Sequence, residues 1–215
     1  MSSVAPAGVD ASRVAHIFAA LPQTQCTRCG FPDCQAYADA IAHDGAAINQ
    51  CSPGGAEGIE RLSRITGQAI QSLNPENGIE GPRSVAFIDE NWCIGCTLCI
   101  DVCPTDAIIG GNKLMHTVIE PHCTGCELCI PVCPVDCIEL ENVTGERTGW
   151  AAWSQAEADS ALKRYTIHST LVNKNARKNQ NTPILETAIA SKDDKKAMIA
   201  AAMAKARAKQ TGSKP

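Results

Sequence analysis

The sequence predicts an α+β chain in three parts: a small helical domain, a pseudo-twofold module of short strands and helices, and a basic tail, part helical and part disordered. Three observations predict it. A twelve-residue cysteine run occurs twice in mid-chain, thirty residues apart. Four further cysteines stand ahead of it, beside residues with helical apolar spacing. The charge is split: residues 1–150 hold seven Lys and Arg against eighteen Asp and Glu, and residues 151–215 hold twelve against five. The expected boundaries are 1–67 for the helical domain, 68–84 for a linker, 85–148 for the repeated module and 149–215 for the tail.

Composition limits the core. Aromatic residues are 4% of 215, so a large aromatic core is not expected, and bound metal must help hold the cysteine-rich parts together. The N-terminus has no basic segment followed by an apolar run, and nowhere do eighteen apolar residues follow one another. Thirteen cysteines without an export signal point to a reducing, intracellular compartment and not to disulfides.

Residues 10–21 read as an amphipathic helix, with Val14, Ile17, Phe18 and Leu21 on one face and Asp10 at its N-cap. His16 on it is expected at the surface. Pro22 ends the helix and leads into Cys26, Cys29, Cys34 and Cys51, spaced C-x2-C-x4-C-x16-C. Four thiols at such spacing suggest one metal centre, either an iron–sulfur cluster or tetrahedral zinc. Gly30 frees the backbone between ligands. Cys34 opens a helix expected from Gln35 to His43, whose N-terminal dipole would favour a negatively charged thiolate centre. Ser52-Pro53-Gly54-Gly55 turns the chain into a helix from about Ala56 to Thr66, with Gly67 past its end.

After the turn-rich linker, Ser84–Ile88 is a strand candidate. The first run, Cys93, Cys96, Cys99, Cys103 and Pro104, reads C-x2-C-x2-C-x3-C-P, and Cys123, Cys126, Cys129, Cys133 and Pro134 repeat it. Bacterial-type ferredoxins hold a [4Fe–4S] cubane with this spacing, the fourth cysteine of each run serving the other cluster. One centre is therefore expected on Cys93, Cys96, Cys99 and Cys133, and the other on Cys123, Cys126, Cys129 and Cys103. Gly95 and Gly125 allow tight ligand loops. Ile94, Leu98, Ile100, Val102 and Ile108, with Leu128, Ile130, Val132 and Ile138, supply an apolar jacket. Ala107–Ile109, Lys113–Ile119 and Cys137–Leu140 are the remaining strand candidates, giving a dicluster ferredoxin-like module with short hairpins. Acidic surroundings with few cations predict low reduction potentials. Cys137 is read as a small buried residue packed near a cluster, and His122 as a polar neighbour or surface group.

The tail opens with Trp150 and Trp153, one of which is expected to pack back on the ferredoxin-like module. Ser154 and Glu157 form a capping box for a helix to about Tyr165. Residues 173–183 are Asn-rich and basic and read as disordered. A final helix is signalled from Ser191 to about Lys209, with Met198, Ile199, Ala202 and Met203 on one side. It reads as a solvated helix or as a peripheral contact with an anionic membrane or a partner. Nothing accompanies its charge to suggest nucleic acid.

Leu21–Cys26, Cys29–Cys34, Tyr37–Ile41 and Ile48–Gly55 resemble the Fe–S domain of the B subunit of Rnf/Rsx electron transport complexes, where a dicluster ferredoxin module follows in the same order. The resemblance spans about residues 10–165. It implies a third [4Fe–4S] cluster on Cys26, Cys29, Cys34 and Cys51. It also implies electron transfer between a ferredoxin, flavoprotein or nicotinamide-dependent partner and membrane subunits that couple it to ion movement; the Rsx branch keeps a redox-sensing regulator reduced. The family's B subunit usually starts with a membrane-spanning helix, whereas Met1 lies nine residues ahead of the first expected helix. The expectations are thus a soluble homologue, or peripheral docking at the cytoplasmic face of the inner membrane. No phosphate loop, dinucleotide fingerprint or hydrolase motif occurs, so no substrate-converting site is expected. The alternative reading is a redox- or iron-sensing regulator or scaffold with zinc or a labile cluster at the N-terminal site.

Overall fold

The computed structural model describes the backbone of residues 7–180, with 196, 199–201 and 203, and side chains from residue 11 to 174 and at those last positions. It mixes helices with two small sheets. Helix α1 (Ala7–Ala19) begins three residues before Asp10, which therefore lies inside the helix and not at its cap. Ile17 and Leu21 from this segment are buried with Tyr37, Ile41, Ile48, Ile59 and Leu62. Helix α2 (Cys34–Asp39) is capped by the Asp33 carboxylate, which accepts from the Ala36 amide at 2.7 Å. It runs on as a π-turn over Ala40–Asp44 and stops at Gly45, in the left-handed region. Tyr37 fastens the next loop: its hydroxyl donates to Ala47 O at 2.7 Å and accepts from the Gln50 amide at 3.2 Å. Helix α3 (Gly55–Thr66) ends at Gly67 as its sequence predicts.

The linker is pinned along its length. Asn74 N donates to Asn49 O, Asn77 Nδ2 to Arg28 O, and the Glu80 carboxylate accepts from Ala56 N and Thr148 Oγ1. A carboxylate at the first turn of α3 meets the positive end of its dipole.

Strands β1 (Ser84–Ile88), β2 (Ile108–Gly111), β3 (Leu114–Val118) and β4 (Ile138–Asn142) match the four candidates, with helix α4 (Leu98–Val102) between the first two. β2 and β3 form a hairpin, Ile108 opposite Val118. β1 pairs instead with the distant β4, Ser84 opposite Asn142, so only one of the two sheets is a local hairpin. Two backbone bonds show the internal twofold: Asp89 N donates to Cys137 O at 2.9 Å and, thirty positions on, Ile119 N donates to Ala107 O at 2.7 Å. The module's buried core is Val85, Ile88, Ile108 and Ile138 among six cysteines.

Helices α5 (Gly149–Ala152) and α6 (Gln155–Gln180) follow. The Ser154–Glu157 capping box forms, with Ser154 N 2.8 Å from the Glu157 carboxylate. α6 continues through residues 173–180, where disorder is expected from composition. A helix that is already nucleated and capped extends at little cost through Lys, Arg and Asn, which composition alone does not register. The tryptophans reach further than expected. Trp150 lies under the Arg61 guanidinium of α3, 3.7 Å from the ring centre, and Trp153 donates to Pro22 O at 2.8 Å. Trp150 thus anchors on the N-terminal domain, while Trp153 also lies 4.8 Å beneath the Arg83 guanidinium, which bonds Cys123 O, and so packs on both sides of the seam. The Ser191 capping box, Met198 and Ala202 lie outside the described residues; Lys196, Ile199 and Met203 are helical.

Trp153→Phe keeps a six-membered aromatic ring and removes the donor to Pro22 O. It should lower stability by about 1–3 kcal/mol, read as an earlier midpoint in denaturant unfolding of the metal-loaded protein.

Candidate metal centres

The ligand loops depend on left-handed backbone. Gly95 and Gly125 have φ of 67° and 68°, Thr97 and Glu127 both 65°, and Asp106 and Asp136 49° and 51°. Each pair is thirty positions apart, so the duplication persists in the backbone angles. A Cβ on Gly125 would lie 2.4 Å from Ser84 O, and one on Gly95 2.5 Å from Leu114 N and O. Only glycine lets the loop press on the strand behind it. In the N-terminal loop Gln23, Gln25, Thr27 and Gly30 are also left-handed, and Gln25 Oε1 accepts from Cys34 N at 2.9 Å.

The thiols gather in three groups of four. The acidity of Cys51 is lowered first by burial and then by Cys34, Cys26 and Cys29. Cys99 is pushed up to about 12 by burial and then by Cys96, Cys93 and Cys133, and Cys129 to about 12 by burial and then by Cys126, Cys123 and Cys103. These are the sets expected from the spacing of the repeated run and, for the N-terminal four, from the resemblance. Cys34 rises to about 12 and Cys126 to about 11, mainly from burial. Without metal, Cys34, Cys99, Cys126 and Cys129 are neutral at neutral pH, so metal binding must displace their protons.

A cubane fits this arrangement. One cavity is lined by Cys103, Cys123, Cys126 and Cys129 under Ala86 and Leu140, and another by Cys93, Cys96, Cys99 and Cys133 under Ile88 and Val135. Among the described residues no three His, Cys, Asp or Glu converge as ligands of a single ion. Backbone amides already point at the sulfurs: His116 N lies 3.3 Å from Cys93 Sγ, Ala86 N 3.4 Å from Cys123 Sγ and Ala107 N 3.2 Å from Cys103 Sγ.

Cys137 is buried with its Sγ 3.5 Å from that of Cys133, beside the cavity as expected. His122 faces Arg164, and burial together with that guanidinium lowers its pKa. His116 is the residue that sequence reasoning missed. It is 1% exposed, with Nδ1 3.3 Å from Cys99 Sγ and Nε2 3.3 Å from Gly111 O. It precedes Cys123 by seven residues, as Ala86 precedes Cys93, so aligning the two repeats sets a histidine opposite an alanine in the strand that backs each ligand loop.

The two cysteine-bearing parts meet at a seam. Thr124 Oγ1 donates to Thr24 O at 2.9 Å in a buried contact, Arg28 pairs with Glu127 at 2.6 Å, and Arg83 donates to Cys123 O at 2.7 Å. The Cys26–Cys29 loop therefore rests on the Cys123–Cys129 loop. Helix α6 straps the seam: Tyr165 donates to Asp33 at 3.0 Å, and His168 bonds Asp106 at 2.7 Å.

His116→Ala places in one repeat the residue found in the other. With Nδ1–H as the lost donor, the reduction potential of the centre that Cys99 would help hold should fall by on the order of 50 mV, the other staying put. An EPR-monitored redox titration reads both.

The comparisons with known proteins agree with this geometry. A family model described as "4Fe-4S dicluster domain" matches residues 86–140, and one described as "Putative Fe-S cluster" matches residues 21–53. The B subunit of the ion-translocating oxidoreductase complex of Azoarcus sp. (strain BH72) is 58% identical over 137 residues, 64% of this chain and 75% of the relative. Its counterpart from Erwinia tasmaniensis is 51% identical over 137 residues, 64% and 72% of the two chains. The one from Thiobacillus denitrificans is 57% identical over 103 residues, 48% and 55%. No solved structure matches the chain. With the paired cysteine runs, the four-cysteine loop and relatives of this closeness, the chain belongs to the family of B subunits of ion-translocating oxidoreductase complexes, and its role is iron–sulfur electron transfer.

Proposed function

We propose that this chain holds three [4Fe–4S] clusters and relays single electrons along them within an Rnf/Rsx-type complex. The ligands are Cys26, Cys29, Cys34 and Cys51 for the first. Cys123, Cys126, Cys129 and Cys103 serve the second, and Cys93, Cys96, Cys99 and Cys133 the third. Each such cluster, when bound, takes up and gives back one electron without bond exchange. The observation that carries the reading is the grouping of twelve buried or half-buried thiols into three sets of four.

The order follows from the seam. The N-terminal loop touches the Cys123–Cys129 loop, while the interleaved cysteines of the two runs join the second site to the third. Buried Leu98, Ile88 and Ile138 keep water from the third site, and Ala86 and Ile108 from the second. The exchange partners are redox proteins: a ferredoxin, a flavoprotein or the complex's membrane subunits. Among the described residues no helix is long and apolar enough to cross a membrane. The basic tail supplies peripheral contact at the cytoplasmic face, drawn to anionic headgroups.

Metal analysis of anaerobically purified protein should find about twelve irons and no zinc. About eight irons with one zinc would overturn the third cluster and favour the regulator or scaffold reading. Deleting residues 191–215 should release the protein from anionic liposomes, and equal retention of both forms in a flotation assay would remove the tail from the account.

A further inference from the structure

The two halves of the module are copies, but their outer faces have different fates. In the second repeat Thr124 is buried against Thr24, Glu127 pairs with Arg28, and His122 faces Arg164 of α6. The chain's own N-terminal domain and last helix cover that face. Thirty positions away, the matching residues of the first repeat are Ile94, Thr97 and Trp92, and Leu114 and Met115 of β3 lie beside that run. Here Trp92 is 56% exposed, Leu114 66% and Met115 59%. Gly95 presses on the Leu114 backbone, so these apolar side chains sit beside the loop that carries Cys93 and Cys96. Exposed apolar surface grouped at a cofactor loop marks an interaction site.

We propose that this open face around Trp92, Leu114 and Met115 is the docking surface for an external redox protein, one whose cofactor edge is ringed by lysines and arginines. The proposal deepens the relay reading and rests on it: the same face receives an internal partner at one end of the module and an external one at the other.

Charge names the partner. Residues 84–142 contain nine acidic residues and one cation, Lys113. Asp89 and Glu90 belong to the turn that presents Trp92, whose amide donates to Asp89 O at 3.1 Å. An apolar centre beside acidic groups suits a transient electron-transfer contact, in which opposite charge steers encounter and the apolar contact sets the fit. A second copy of this chain would bring acid against acid.

The probe is ferric cytochrome c, a basic haem protein with an exposed haem edge. Binding to the metal-loaded protein is measured by calorimetry at low and high salt. Salt should weaken it, and Trp92→Ser combined with Leu114→Ser should weaken it at least tenfold. Glu90→Lys should also weaken it and flatten the salt dependence. Ile167→Ser with Leu171→Ser, equally exposed on α6, should leave it unchanged. After prior reduction of the protein, one electron passes to each ferric haem, giving ferrous haem with no proton or bond exchanged; its rate should fall in the patch variants alone. Patch variants that bind like the parent, or α6 variants that weaken binding equally, overturn the proposal. So does a parent dimer, seen in sedimentation, that Trp92→Ser dissolves. Iron counts and EPR on the same samples score the relay reading separately: about eight irons with docking intact would fail that reading alone.

Discussion

Four sulfurs facing one small volume require a chain to bend back on itself, and this chain does so around both cavities of the module. Every other feature of the fold serves that demand. Thiols so close and so buried resist ionisation, and the chain offsets this only by turning amides toward the sulfurs and leaving space for a metal cage. With aromatics at 4% of the sequence, cysteines take over the interior, six of them among the buried residues of the module. Such a core has little reason to persist without its metal.

The left-handed residues show how the bending is achieved. Gly95 and Gly125 accept positive φ freely, but Thr97, Glu127, Asp106 and Asp136 do not, and each sits within three residues of a cysteine ligand candidate. Their conformations cost free energy that the surrounding loop must over-determine. The twofold repetition of these angles indicates that the strain belongs to the ligand geometry and not to either repeat's local sequence.

Much of this was legible in advance. The cysteine spacing indicated which thiols of the module lie together, and short runs repeated around each cysteine run gave all four strands within one or two residues. The capping box at Ser154 and the stop at Gly67 were likewise visible, since each rests on chemistry local to a few residues. What escaped was non-local. The pairing of β1 with β4 closes a loop of some fifty residues that no hairpin signal announces. Trp153 chose Pro22 because of a carbonyl 131 residues away, and the length of α6 follows from its upstream cap and not from the Asn-rich stretch itself. His116 was missed because a lone histidine in a strand carries no signal until the repeats are overlaid.

Helix α6 has one further consequence. Tyr165 holds Asp33, next to Cys34, while Arg164 and His168, its neighbours on the same helix, hold Thr105 and Asp106, just past Cys103. One rod thus grips both metal-bearing units within a few residues of their sulfurs. Tunnelling distances inside the molecule are consequently set by a brace and not by a swinging arm, and traffic through the chain needs no hinge.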